Sequence, residues 1–305
     1  MPTGLTGTRP KPRIDETVVP TTYSDIRYYL RCPRDYQYRK SFGFSPPVPE
    51  LFGFGKTIHT SIEKLHEQFP DRVPTPSEAE DIVSDTFHLK HVFPSNDPEN
   101  HPGPYERARK AASDIARTYA TDYAADFTRQ RQVEVRFEIP VTQAVITGSI
   151  DLMLEQDEQG NILDASVIDF KSMKGGDPLE ETEEFDWTEL ALQVQLYAKA
   201  ARDVLGENAQ TGAVHFLKDS QRVEVPITDT AIASAVANVE WAVDRIIADD
   251  FPMRPHPKKC DKCDFKALCP KIPENFAIGN EPPGIHIPGN RKLARAFEEF
   301  GDDPQ

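Results

Sequence analysis

Apolar positions recur with a helical period through the first third of the chain. Ile58, Ile62, Leu65 and Phe69 stand at spacings of four, three and four, which predicts a helix after Gly55 with one apolar stripe facing a core. Ser24 opens "SDIRYYLRC" and predicts a capped helix there. Residues 76–89 and 104–128 carry the same period, separated by a proline-rich stretch that reads as a surface insertion. From residue 133 the period drops to two. In "VEVRFEI", Val133, Val135, Phe137 and Ile139 alternate with charged residues, the signature of a half-buried strand. "VITGSIDLML" is expected to place Ile146, Ile150, Leu152 and Leu154 on one face and Thr147, Ser149 and Asp151 on the other. A turn at "DEQGN" leads into "SVIDFK", where Ile168 and Phe170 oppose Asp169 and Lys171. A helix at 187–205, strands at 213–218 and 222–227 and a helix at 229–249 complete the pattern. This order predicts an α/β fold, a mixed β-sheet flanked by helices.

Proline and glycine mark both ends, so 1–22 and 271–305 read as tails or linkers around one domain at 23–270, with a short polar helix at 291–300. No run approaches eighteen consecutive apolar residues and the first twenty contain no apolar signal segment, which argues against a membrane partner and for a cytoplasmic location. The net charge of -15 would repel phosphates, but its distribution is uneven. Residues 27–40 carry Arg27, Arg31, Arg34, Arg39 and Lys40 against Asp35, and residues 254–271 carry Arg254, Lys258, Lys259, Lys262, Lys266 and Lys271 against Asp261 and Asp264. These two basic islands hold all four cysteines. "GDPLEETEEFDWTE", with Asp177, Glu180, Glu181, Glu183, Glu184, Asp186 and Glu189, reads as a solvated acidic loop, or as a lid against duplex DNA.

Asp169 and Lys171 lie two apart on one strand face, roughly 7 Å along it. With Asp151 on the neighbouring strand, two carboxylates converge beside an ammonium, a set suited to Mg²⁺ or Mn²⁺; an ion pair on a solvated sheet is the plainer alternative. His59 lies at the edge of its helix's apolar stripe, as an ordinary boundary histidine or as the imidazole of such a site. Gln193 and Tyr197 share a helix face and either brace the lysine or satisfy one another.

In order, G-x-x-x-H (Gly55 to His59), G-x-x-D (Gly148 to Asp151), D-x-K (Asp169 to Lys171) and Q-x-x-x-Y (Gln193 to Tyr197) resemble the RecB-like branch of the PD-(D/E)XK nuclease superfamily. The resemblance implies a restriction-endonuclease-like core. It also implies that His59, Asp151 and Asp169, with the Phe170 carbonyl, ligate the metal, that Lys171 serves the attacking water, and that Gln193 and Tyr197 support the site. The implied activity is that of a DNA exonuclease on single strands or ends, in DNA repair, recombination or CRISPR adaptation. The alternative is a strand-guiding module of a larger helicase-nuclease assembly.

Cys260, Cys263 and Cys269 form C-x2-C-x5-C, and Cys32 adds a fourth thiolate. Four thiolates hold either zinc or an iron-sulfur cluster. The one-plus-three spacing, with "CPRDYQYR", resembles the iron-sulfur staple of AddB-type helicase-nucleases and CRISPR-adaptation nucleases. It implies a 4Fe-4S cluster joining the N- and C-terminal parts, with zinc as the alternative. Arg27, Arg31, Arg34, Arg39 and Lys40, with tyrosines such as Tyr36 for stacking, would then line a path for single-stranded DNA.

Overall fold

The computed structural model describes residues 18–46, 48, 51–156, 162–175, 187–254, 260 and 263–269. In chain order the elements are β1 (Val19–Thr22), α1 (Tyr23–Arg31), α2 (Pro33–Tyr36), α3 (Phe54–Gln68), α4 (Pro76–Thr86), α5 (Pro104–Asp122), β2 (Arg131–Val141), β3 (Ala144–Gln156), β4 (Ile162–Lys171), α6 (Trp187–Ala200), β5 (Ala209–Phe216), β6 (Gln221–Val225) and α7 (Asp229–Ile247). One six-stranded mixed sheet results. β2 and β4 are antiparallel to β3, β1 is parallel to β3, β5 is parallel to β4, and β6 is antiparallel to β5. On one face Tyr29, Leu30, Val194 and Val239 of α1, α6 and α7 pack on Ile139, Ile146 and Val214. On the other, Ile58, Ile62, Val83 and Tyr119 of α3, α4 and α5 pack on Leu154, Ile168 and Phe170. The α/β class, with a mixed sheet between helices, is the one the hydrophobic pattern predicts.

Three expectations need correcting. Val19–Thr22, read as part of a tail, pairs with Ala144–Thr147; four residues are too short to show a period. Thr22 rather than Ser24 caps α1, its hydroxyl accepting from the Asp25 N–H at 3.2 Å while Asp25 accepts from the Thr22 N–H at 3.3 Å. The single apolar face expected for β3 is divided between the two layers. Ile146 and Ile150 belong to the α1/α6/α7 core, whereas Leu152 and Leu154 belong to the other. β2 changes layer at the matching place, with Val135 packed on the first core and Val133 on the second. Between them lies Glu134, whose φ of +49° interrupts the extended backbone. The segments 176–186 and 270–305, with most of the acidic run and the helix expected at 291–300, lie outside the described residues.

β3 has an unusual edge. β2 follows one side of it from Ala144 to Leu154 in a single register. On the other side β1 takes Ala144–Thr147 and β4 starts at Leu152, so among the described residues Gly148–Asp151 have no strand partner there.

Candidate active site

The gap in that edge is where the chemistry-bearing side chains meet. Continuing the β3–β4 register beyond Leu152 and Ile168 would pair Asp151 with Asp169, but the ladder stops. Instead Asp151 Oδ2 accepts the Phe170 backbone N–H at 2.7 Å. A side chain thereby replaces a ladder hydrogen bond and pins the strands where they diverge.

His59 reaches the gap from α3, with Nδ1 3.6 Å from Asp151 Oδ2 and its ring edge-on to Phe170. Burial of Ile58 and Ile62 sets the rotation of α3, and Gly55 sets its approach, since a Cβ there would lie 2.7 Å from Ser172 Oγ. Burial acts to lower the His59 pKa, but the hydrogen bond and charge of Asp151, with Asp169 behind it, hold it above its ordinary value.

β4 presents Asp169 and Lys171 on one face, as period two requires. Lys171 Nζ lies 2.6 Å from Asp169 Oδ2 and donates to Gln193 Oε1 at 2.8 Å. Gln193 Nε2 donates to the Tyr197 hydroxyl at 2.7 Å, and that hydroxyl donates to Asp169 Oδ1 at 3.5 Å. The four side chains close a ring in which α6 fixes the position of the ammonium. Asp169 is 1% exposed; burial pushes its carboxyl above the usual carboxylate range, against the lowering influence of Lys171. Burial, then the charges of Asp151 and Asp169, keep Tyr197 protonated and able to donate.

The structure thus brings His59, Asp151, Asp169, Phe170, Lys171, Gln193 and Tyr197 to one place. It also brings Glu134. Ligand atoms of His59, Glu134 and Asp151 all lie within 4.8 Å of one another. Sequence reasoning misses Glu134 because a charged residue in an alternating strand reads as solvent-facing; its one signal is its place opposite Asp151 in the hairpin. One imidazole nitrogen among carboxylate oxygens is a donor set that fits Mg²⁺ or Mn²⁺.

The residues expected to meet DNA are differently placed. Arg31 donates twice to Glu189 at 3.0 Å, and Arg27 lies 4.0 Å from the same carboxylate. Glu189 is 4% exposed, so it is a buried link from α6 to α1 and not part of a solvated loop. Arg39 pairs with Asp35 at 2.8 Å and Asp264 at 2.5 Å, Lys40 pairs with Asp25 at 2.6 Å, and Arg34 donates to Gln37 at 2.6 Å. Tyr36 is a core residue stacked on Phe251, so its ring faces are committed to the interior.

Both basic islands nevertheless meet. Tyr38 packs on Phe265 and donates to the Leu268 carbonyl at 3.3 Å, beside the Arg39–Asp264 pair. Burial, then the charge of Cys269, raise the Tyr38 pKa, with Cys32 and Cys263 acting in the same direction and Arg34 against it. Burial pushes the Cys263 thiol up, with Cys32 and Cys260 adding to it.

A mixed sheet split at its centre, with carboxylates, a histidine and a D-x-K lysine at the split, defines a metal-dependent phosphodiesterase type of site. Residues 20–270 match the model of the PD-(D/E)XK nuclease superfamily, and the chain belongs to that superfamily. Among solved structures, a "Putative exonuclease" from Eubacterium rectale is similar over 86% of this chain and 90% of that one, at 14% identity and a TM-score of 0.50, and shares the fold. SSO0001 is matched over 84% of this chain and 87% of that one, at 14% identity and a TM-score of 0.37. No curated protein sequence matches the chain. Among the described residues no helix is long and apolar enough to cross a membrane.

Proposed function

We propose that the chain is a RecB-like, metal-dependent deoxyribonuclease that shortens single strands or DNA ends. The observation that carries this reading is the closed ring of Lys171, Gln193, Tyr197 and Asp169 beside the His59–Asp151 pair. Mg²⁺ or Mn²⁺ would be held by His59, Asp151 and Asp169, with the Phe170 carbonyl as a further donor. Bound there, the cation supplies Lewis-acid stabilisation of the charge that develops on the phosphate and the leaving 3′ oxygen. Lys171 orients the attacking water against the phosphate, and its charge offsets the negative charge of the transition state. Gln193 holds Nζ in place, and Tyr197 ties Gln193 to Asp169 so that the ammonium does not fold away. His59 Nδ1 lies 3.6 Å from Asp151 Oδ2, so the imidazole of α3 and the carboxylate of β3 can share one ion. The products carry 5′ phosphates.

Within the same reading, Cys32, Cys260, Cys263 and Cys269 bind a 4Fe-4S cluster, with zinc as the competing occupant. The one-plus-three spacing of these cysteines along the chain supports it. The functional unit takes in β1 and runs to about residue 270. Arg34 offers a phosphate contact, whereas Arg27, Arg31, Arg39 and Lys40 would first exchange their carboxylate partners. The cysteine spacing favours work alongside a helicase or CRISPR-adaptation proteins in the cytoplasm.

Anaerobically purified wild type and Lys171→Ala are compared on end-labelled single-stranded and duplex DNA with Mg²⁺ or Mn²⁺. The expected outcome is cleavage by the wild type, reduced on the order of a hundredfold or more in the variant. About four iron atoms per chain are expected in both. Equal cleavage by the two proteins would overturn the role of Lys171, and stoichiometric zinc without iron would overturn the cluster.

A further inference from the structure

We propose that Glu134 is a ligand of the same divalent cation, supplied by β2 across the hairpin from Asp151. The proposal rests on the metal-nuclease reading above and adds to it a residue outside the motifs. It begins with the register. The pairs Val133 with Leu152 and Val135 with Ile150 put Glu134 directly opposite Asp151. Residues directly opposite in an antiparallel pair share a face, and like charges in that position repel. Here the two carboxylates are not turned apart. Their oxygens and a His59 nitrogen fall within 4.8 Å of one another.

The surrounding charges do not relieve that repulsion. Lys171 is engaged by Asp169 and Gln193. After burial, the Ser149 hydroxyl acts on Glu134 as a hydrogen-bond donor, and the charged groups acting on it are Asp151 and Glu63, both negative, and His59. At most one positive charge from the imidazole therefore faces two converging carboxylates, with a third at Glu63. A divalent cation is the countercharge that this arrangement accommodates, and it would bring oxygens from two strands and a nitrogen from α3 onto one ion.

The backbone is bent to the same end. Among the described residues four non-glycine residues have positive φ, and Thr142, Ser220 and Asp249 are in turns, whereas Glu134 is inside a strand. At Glu134 β2 passes from one core layer to the other, as β3 does at Asp151. A solvent-facing glutamate would need no such conformation. At a ligand position it serves to swing the carboxylate towards Asp151 and His59 without breaking the register on either side.

Binding of Mn²⁺ alone, without DNA, is followed by electron paramagnetic resonance of the free ion for full-length wild type, Asp151→Asn, Glu134→Gln and Glu134→Gly. The glycine variant separates a ligand from a structural residue, since glycine adopts φ of +49° without strain and should leave the metal-free thermal midpoint unchanged or higher. Both Glu134 variants are expected to bind Mn²⁺ at least tenfold more weakly than wild type, and Asp151→Asn to lose binding. Wild-type affinity in Glu134→Gly, with binding lost in Asp151→Asn, would overturn the role of Glu134 and leave the metal site standing. Unchanged binding in all variants, or none in the wild type, would overturn the metal site itself and this inference with it.

Discussion

Gly148 carries no side chain because Phe137 occupies its space. The two residues are direct cross-strand partners, and an added Cβ would come 2.6 Å from Phe137 Cζ. The ring cannot yield freely, since it is 5% exposed and packs edge-on against Tyr197 at 5.8 Å. Gly148→Ala should therefore cost about 1–3 kcal/mol by overpacking. Urea unfolding should show a lower midpoint at an unchanged slope. The displacement would pass through Phe137 to Tyr197 and so to the ring around Lys171. The glycine of the G-x-x-D motif thus serves Asp151 indirectly, by letting an aromatic side chain brace the helix behind the site.

Between elements, a chain of buried polar groups ties α3, α5, β5 and β6 together behind the sheet. His66 of α3 hydrogen-bonds the Tyr119 hydroxyl of α5 at 2.8 Å, and that hydroxyl donates to Asp126 at 3.0 Å. Arg222 of β6 donates to Asp126 at 2.5 Å and to His215 Nδ1 at 3.2 Å. With Tyr119 donating to Asp126, His66 carries its proton on Nε2 and is neutral. Burial, then the charges of Arg131 and Arg222, hold the His66 pKa well below its ordinary value; burial, aided by Arg222, pushes His215 down to about 3. Below about pH 6.5 the unfolded chain takes up protons that these folded-state histidines refuse. Their contribution to stability is thus complete above that pH and declines as pH falls, by up to about 1.4 kcal/mol per unit for each. Imidazole NMR at pH 5 should find both rings neutral. A charged His66 at that pH would contradict the assignment.

The same elements show what a sequence can disclose. Asp169 and Lys171 are legible because two positions apart on a strand means one face, and Gln193 and Tyr197 because four apart on a helix means one face. His59 follows from the apolar stripe that orients α3. Glu134 is not legible, since alternation fixes only relative facing within a strand and cannot reveal where the backbone crosses from one layer to the other. For the same reason Leu152 and Leu154 are assigned to the wrong core. Glu189 is misread because charge composition says nothing about the two arginines that α1 brings to it. Nor does the spacing of Arg39 and Asp264 along the chain reveal that they meet.

For the molecule as a whole, β3 is the member common to two part-sheets. Its first half is flanked by β1 and β2, and its second half by β2 and β4, which leads on to β5 and β6. The stretch Gly148–Asp151 lies between them, and among the described residues its strand pairing is with β2 alone, through Gly148, Ser149 and Ile150. In hydrogen-deuterium exchange this inverts the usual profile of a central strand, which is slowest in its middle. Amides of Gly148–Asp151 that point into the gap should exchange faster than those of Ile146 and Leu154 on either side. An ion that draws Asp151 and its neighbours together should slow them. The protein would then report the filling of its own site through the solvent protons of its central strand, with no label, no substrate and no turnover.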